Sequence, residues 1–63
     1  MIKVEKIRGC MAEHGHTQQD IAKILNVSLN SVNNKLNGKT EFTISEISAL
    51  CSLYKKKISY FLS

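Results

Sequence analysis

The chain contains no tryptophan and no proline, and only two tyrosines and two phenylalanines among its 63 residues. So sparse an aromatic content argues against a β-sandwich core, and the missing proline excludes a proline-rich ligand segment. Cys10 and Cys51 are too few and too far apart in sequence for a secreted disulfide framework. Both fall on apolar helix faces and are expected as small reduced core residues. Combining them with His14 and His16 gives C-x3-H-x-H and one distant cysteine, which is no zinc-site spacing. No metal or other cofactor is expected. The two histidines, at a helix end and in a loop, are expected as surface or capping residues. No apolar run approaches the roughly 20 residues of a membrane span, and the N-terminus has no long apolar signal region. A cytoplasmic protein with no membrane partner is expected. Neither a phosphate-cradling glycine loop nor a nucleophile–base–acid set is present, so no enzyme activity is expected.

What remains is small, basic and apolar enough to fold. Sixty-three residues make one core, and residues 1–63 read as one domain without repeat, linker or low-complexity segment. A hydrophobic fraction of 43% suffices for a small helical fold. The formal charge of +4 and a pI near 9.3 favour a polyanionic partner without naming it.

The most informative stretch runs from Thr17 to Lys39, TQQDIAKILNVSLNSVNNKLNGK. Thr17 can cap a helix, and Asp20 three residues on completes a capping box and suits the positive end of the helix dipole. Ile21, Ala22, Ile24 and Leu25 follow as one apolar stripe at helical spacing. Asn26, tolerant of the left-handed conformation, can stop that helix. Val27 is expected in the core, and Ser28 as the N-cap of a second helix. In that helix Leu29, Val32 and Leu36 share the buried face, and Asn30, Asn33, Asn34 and Asn37 lie opposite. Asparagine is a mediocre helix former, and a merely solvated face would favour Glu, Lys and Arg. An amide, however, offers the paired donor and acceptor that read adenine in the major groove. The pattern is helix-turn-helix, with Ser28 to Asn37 as a recognition helix.

Around this motif the periodicity predicts a first helix from about Lys3 to Glu13, with Val4, Ile7, Cys10 and Met11 inward. Gly9 within it costs about 1 kcal/mol relative to alanine, which suggests the close approach of another helix. Gly15 is a C-terminal cap. Gly38 ends the recognition helix, and a loop leads to Thr43 or Ser45 as the next cap. The fourth helix turns Ile44, Ile47, Leu50, Cys51 and Tyr54 inward. Lys55-Lys56-Lys57 links it to a fifth, Ile58 to Leu62; the run fits a solvated turn, an offset to the helix dipole or a general attraction to DNA.

The chain resembles the phage repressor and Cro-type, lambda-repressor-like helix-turn-helix family. The matching residues are Gln18, Ala22, Val27, Ser28 and Val32, then Asn37-Gly38-Lys39; the likeness continues through EFTISEISAL to ISYFL, nearly the whole chain. The resemblance implies an all-α, compact five-helix bundle, with Ala22 where the two motif helices cross. It also implies a glutamine, here Gln18, that contacts the DNA backbone and braces the recognition helix. The chain departs from the family in two places: Asn26 replaces the usual turn glycine, and Lys35 an apolar or aromatic residue.

Base contacts are expected from the first turns of the recognition helix. Asn30 and Asn34, four residues apart on one face, lead. Ser28 is either a cap alone or a cap that also contacts a base, since the two roles are compatible. Leu29 fits either a thymine methyl or the core, and Asn33 either bases or phosphate. Phosphate contacts are expected from Gln18, Asn37 and Lys39, with Thr17, Lys35 and Thr40 secondary. The apolar C-terminal residues Ile58, Tyr60, Phe61 and Leu62 cannot all be buried. As the resemblance implies, those outside should form a dimer contact. The expected function is therefore transcriptional regulation by a phage or prophage repressor or Cro-like protein. Its partner is a double-stranded operator with two half-sites, bound as a weak homodimer that DNA strengthens, with no small-molecule effector. The alternative is an antitoxin or protein-binding adaptor built on the same fold.

Overall fold

Three hydroxyls set the starts of three helices. Thr17 Oγ1 accepts from the Asp20 amide at 3.2 Å while Asp20 Oδ2 accepts from the Thr17 amide at 2.8 Å. Thr43 and Glu46 repeat this reciprocal pair at 3.1 and 2.8 Å, so Thr43 rather than Ser45 is the cap. Ser28 Oγ accepts from the Ser31 amide at 3.1 Å. Each satisfies amides that a helix start otherwise leaves unpaired.

The computed structural model describes residues 2–62. Its helices are α1 (Val4–His14), α2 (Gln18–Leu25), α3 (Leu29–Leu36), α4 (Ile44–Tyr54) and α5 (Ile58–Phe61), an all-helical bundle of the expected kind. Gly15 and Asn26 end α1 and α2 in the left-handed conformation, at φ 66° and 58°. Lys55 does the same for α4 at φ 55°, a conformation that costs a non-glycine residue about 1 kcal/mol. The chain ends are tied together: Ile2 and Leu62 form an antiparallel bridge, and the Lys3 amide donates to the Phe61 carbonyl at 2.6 Å.

The core gathers Ile7, Cys10 and Met11 from α1, Ile21 and Ala22 from α2, and Val32 and Leu36 from α3. Phe42, then Ile47, Leu50 and Tyr54 of α4 and Phe61 of α5, complete it. Val4, Leu25, Val27 and Cys51 pack against it half-buried.

Several expectations fail in instructive ways. Ile24 is 41% exposed and Leu29 44%. A two-turn helix turns only one side to the core, and Ile21, Ala22 and Leu25 already occupy that side of α2. Leu29 stands at the first position of α3, one turn ahead of where Val32 meets the core. Ile44 is 74% exposed, because it occupies the first turn of α4, ahead of Ile47 where that helix enters the core. Gly9 is exposed, and a Cβ there would meet nothing within 4 Å, so no helix approaches it.

Candidate nucleic-acid interface

α2 and α3 pack directly on each other across the turn Asn26-Val27-Ser28. The Val27 amide donates to the Ala22 carbonyl at 3.0 Å, closing the end of α2 over the buried Ala22. With Val32 and Leu36 inward, α3 turns Asn30 and Asn33 to solvent, its cap residue Asn37 is exposed beyond them, and Asn34 is half-buried at the edge. Ser28 and Leu29 stand exposed at its start. The structure thus places Leu29 on the surface rather than in the core.

The amides on this surface are not independent. Asn33 Nδ2 donates to Gln18 Oε1 at 3.2 Å, which ties α3 to the first residue of α2. Asn37 Nδ2 donates to Asn33 Oδ1 at 2.9 Å. Arg8 of α1 donates from Nη2 to Asn37 Oδ1 at 3.3 Å and to the Leu36 carbonyl at 3.1 Å. No local pattern in the sequence marks Arg8, whose partners lie 28 and 29 positions away.

Lys35 departs most from expectation. The sequence suggests a phosphate contact, yet Lys35 is buried, and its ammonium is ion-paired with Glu46. Only 10% and 11% of the two side chains' surfaces are exposed. The Lys35 Nζ also lies 5.9 Å from the Phe42 ring centroid, within cation–π range. The stem fills the apolar position, and the charge meets the carboxylate at the start of α4. Burial pushes the Glu46 carboxyl up, but hydrogen bonds from Lys35 and Thr43 outweigh that and hold it below the ordinary carboxylate value.

The remaining expected phosphate residues lie on the surface. Thr17 is exposed, with its hydroxyl engaged in the cap, and Gln18 is half-buried beside Asn33. Lys39 and Thr40 are exposed just after Gly38, whose φ of 77° turns the chain out of α3. The start of α2 is steadied from behind, since His16 Nδ1 and the Tyr54 hydroxyl lie 2.8 Å apart. Burial raises the Tyr54 hydroxyl to about 12, so it stays protonated beside His16.

The C-terminal residues divide. Phe61 is fully buried and belongs to the core, which removes it from the expected dimer contact. Ile58, Tyr60 and Leu62 are 41%, 38% and 41% exposed. A four-residue helix packed on α1 and α4 buries one side only, and Phe61 takes it. Lys6 and Lys56 bring their ammonium groups to 5.0 and 4.8 Å from the Tyr60 ring centroid. Cys10 and Cys51 are free thiols, and burial raises the Cys10 thiol. Among the described residues, no helix is long and apolar enough to cross a membrane.

Two short capped helices at a tight turn, the second presenting neutral amides outward on a basic chain, form a helix-turn-helix. The helix-turn-helix family model matches residues 7–61, and the chain belongs to that family, in its Cro and lambda-repressor type. The family is one of DNA-binding transcription regulators rather than enzymes. No curated protein and no solved structure matches the chain.

Proposed function

We propose that the protein is a phage or prophage repressor or Cro-like regulator that binds a defined duplex sequence with α3 in the major groove. The observation that carries this is the outer face of α3. It bears neutral amides, and those of Asn30 and Asn34 make no side-chain hydrogen bond among the described residues. Each keeps a donor and an acceptor for an adenine edge. Ser28 and Leu29 lie beside them at the helix start, Leu29 suited to a thymine methyl. Gln18, Asn37, Lys39, Thr40 and the Thr17 hydroxyl, whose hydrogen the cap leaves free, flank this face and suit phosphates. Lys35 has no part in it.

Two copies bind two half-sites about one helical turn apart, near 10 bp centre to centre. Ile58, Tyr60 and Leu62 supply the contact between them. So small a patch is below the size of a stable interface, and the lysines beside Tyr60 repel their counterparts across a two-fold axis. Pairing is therefore weak until both half-sites hold the copies together and make it intramolecular.

Selection of bound duplexes from a random pool should return paired, related half-sites at fixed spacing. Single halves without spacing dependence would overturn the dimeric part. A folded Tyr60→Glu variant should bind the paired site about tenfold more weakly than wild type, with sedimentation showing wild type mostly monomeric until operator is added. A tight dimer without DNA would overturn the weak pairing, and unchanged binding by the variant would assign the C-terminal patch another role.

A further inference from the structure

The three asparagines of α3 and the one that caps it, Asn37, are chemically identical but not equally free. Asn33 and Asn37 belong to one hydrogen-bonded chain that crosses three helices: Arg8 to Asn37, Asn37 to Asn33, Asn33 to Gln18. Its sense is fixed at one end. A guanidinium can only donate, so Asn37 must turn its oxygen to Arg8 and its nitrogen onward. The same then holds for Asn33, whose oxygen receives Asn37 and whose nitrogen serves Gln18. The chain ends on the Gln18 oxygen, which leaves both hydrogens of the Gln18 amide nitrogen unused. One hydrogen on each asparagine nitrogen is also left over. These four N–H hydrogens are the free donors of this flank, while each of the three amide oxygens already accepts one hydrogen bond.

Resting on the DNA-binding proposal above, we infer that Asn33 and Asn37 are not base readers and that Arg8 is a positioning residue acting through them. The relay aims the Gln18 amide nitrogen, and the spare hydrogens behind it, at the phosphate oxygens of one strand. Phosphate offers only acceptors, and a row of donors matches it. Adenine instead asks one amide for a donor and an acceptor in the plane of the base. Neither Asn33 nor Asn37 can swing into that plane without losing a neighbour on each side. Asn30 and Asn34 are held by no such partner and do the reading. Arg8 also donates to the Leu36 carbonyl, so it binds the end of α3 to α1 and sets the angle at which the relay meets the backbone.

Two measurements separate the relay from the DNA reading. The first uses free protein and the side-chain amide resonances of Gln18 and the asparagines. In Arg8→Met the signals of Asn37, Asn33 and Gln18 should all shift, while those of Asn30 and Asn34 stay in place. A shift confined to Asn37 would overturn the relay whatever the protein binds. The second compares duplex binding by Asn33→Ala, Arg8→Met and the double variant. Each single variant should lose about five- to tenfold on all sequences with base preference unchanged, as for a lost hydrogen bond. The double should lose no more than about twofold beyond the weaker single, because both changes break one chain. Arg8→Lys keeps the charge but cannot span both acceptors, so it should behave like Arg8→Met; full binding by Arg8→Lys would reduce Arg8 to a point charge. A changed preference at a base position in Asn33→Ala, or additive losses in the double, would overturn the assignment. Absence of sequence preference in wild type would remove the DNA reading while leaving the spectral result to decide the relay.

Discussion

The two faces of α3 invert the usual surface and core. Its one charged side chain, Lys35, is inside, and its outer face carries neutral amides. Each face makes chemical sense by what it meets. Inside, Lys35 finds Glu46, so the ion pair joins the end of α3 to the start of α4. Glu46 also caps α4 through Thr43, and one carboxylate thus fixes the loop between the two helices at both ends. Outside, a lysine would attract any phosphate equally, whereas an amide distinguishes base edges. The inner charge holds the helix, and in the proposed reading the Asn30 and Asn34 amides outside are left to discriminate.

The largest expected effect comes from breaking the inner face. Glu46→Ala leaves a buried ammonium without a partner and removes half of a capping box, and should cost about 3–5 kcal/mol in denaturant unfolding. The double variant Lys35→Met, Glu46→Gln keeps the cap and removes both charges, and should recover to within about 1 kcal/mol of wild type. If the double were as unstable as the single, the pair would be more than an anchor.

Acid tests the same face. The Glu46 carboxyl is held below its unfolded value of 4.5, so its stabilisation is fully present above that pH. It should be lost as pH falls through the lower folded value. The double variant should lose less stability than wild type over that range; equal acid sensitivity would assign the effect to other carboxylates, with Asp20 held low by Thr17 the first candidate.

A smaller change concerns the rim. Lys39→Ala should weaken binding to all sequences alike and lower the salt slope by about one unit. A changed base preference in that variant would place Lys39 in the groove rather than on the backbone. The smallest effect lies away from both faces. Gly9→Ala meets open space on α1 and should raise stability by about 0.5–1 kcal/mol with DNA binding unchanged. It thereby shows whether stability alone moves affinity.

Much of the outer face was legible because its signals are local. Thr17, Asn26 and Ser28 act within a few residues of themselves, and capping chemistry is specific to residue type. The alternation of Val32 and Leu36 with the asparagines follows from helical spacing alone. The inner face was not legible in the same way. A lysine at a core-facing position looks like a surface residue until Glu46, eleven positions on, is known to lie beside it. Arg8 and Asn37 are joined only by the tertiary fold. Ile24 and Ile44 have the right spacing, yet spacing does not tell where a short helix leaves the core. Lys55 in the left-handed region had no glycine or asparagine to announce it. Phe61 could not be told from Tyr60 or Leu62, since a four-residue helix is too short for periodicity to choose a face.

The central claim is that the outer face of α3 reads sequence, and base preference in Asn34→Ala tests it most directly. Duplexes selected from a random pool by wild type and by the variant would be compared position by position. Wild type should prefer adenine at a defined place in each half-site. The variant should lose about 1–3 kcal/mol of discrimination at that one place and keep the rest. A uniform loss across all sequences, or an unaltered preference, would contradict it.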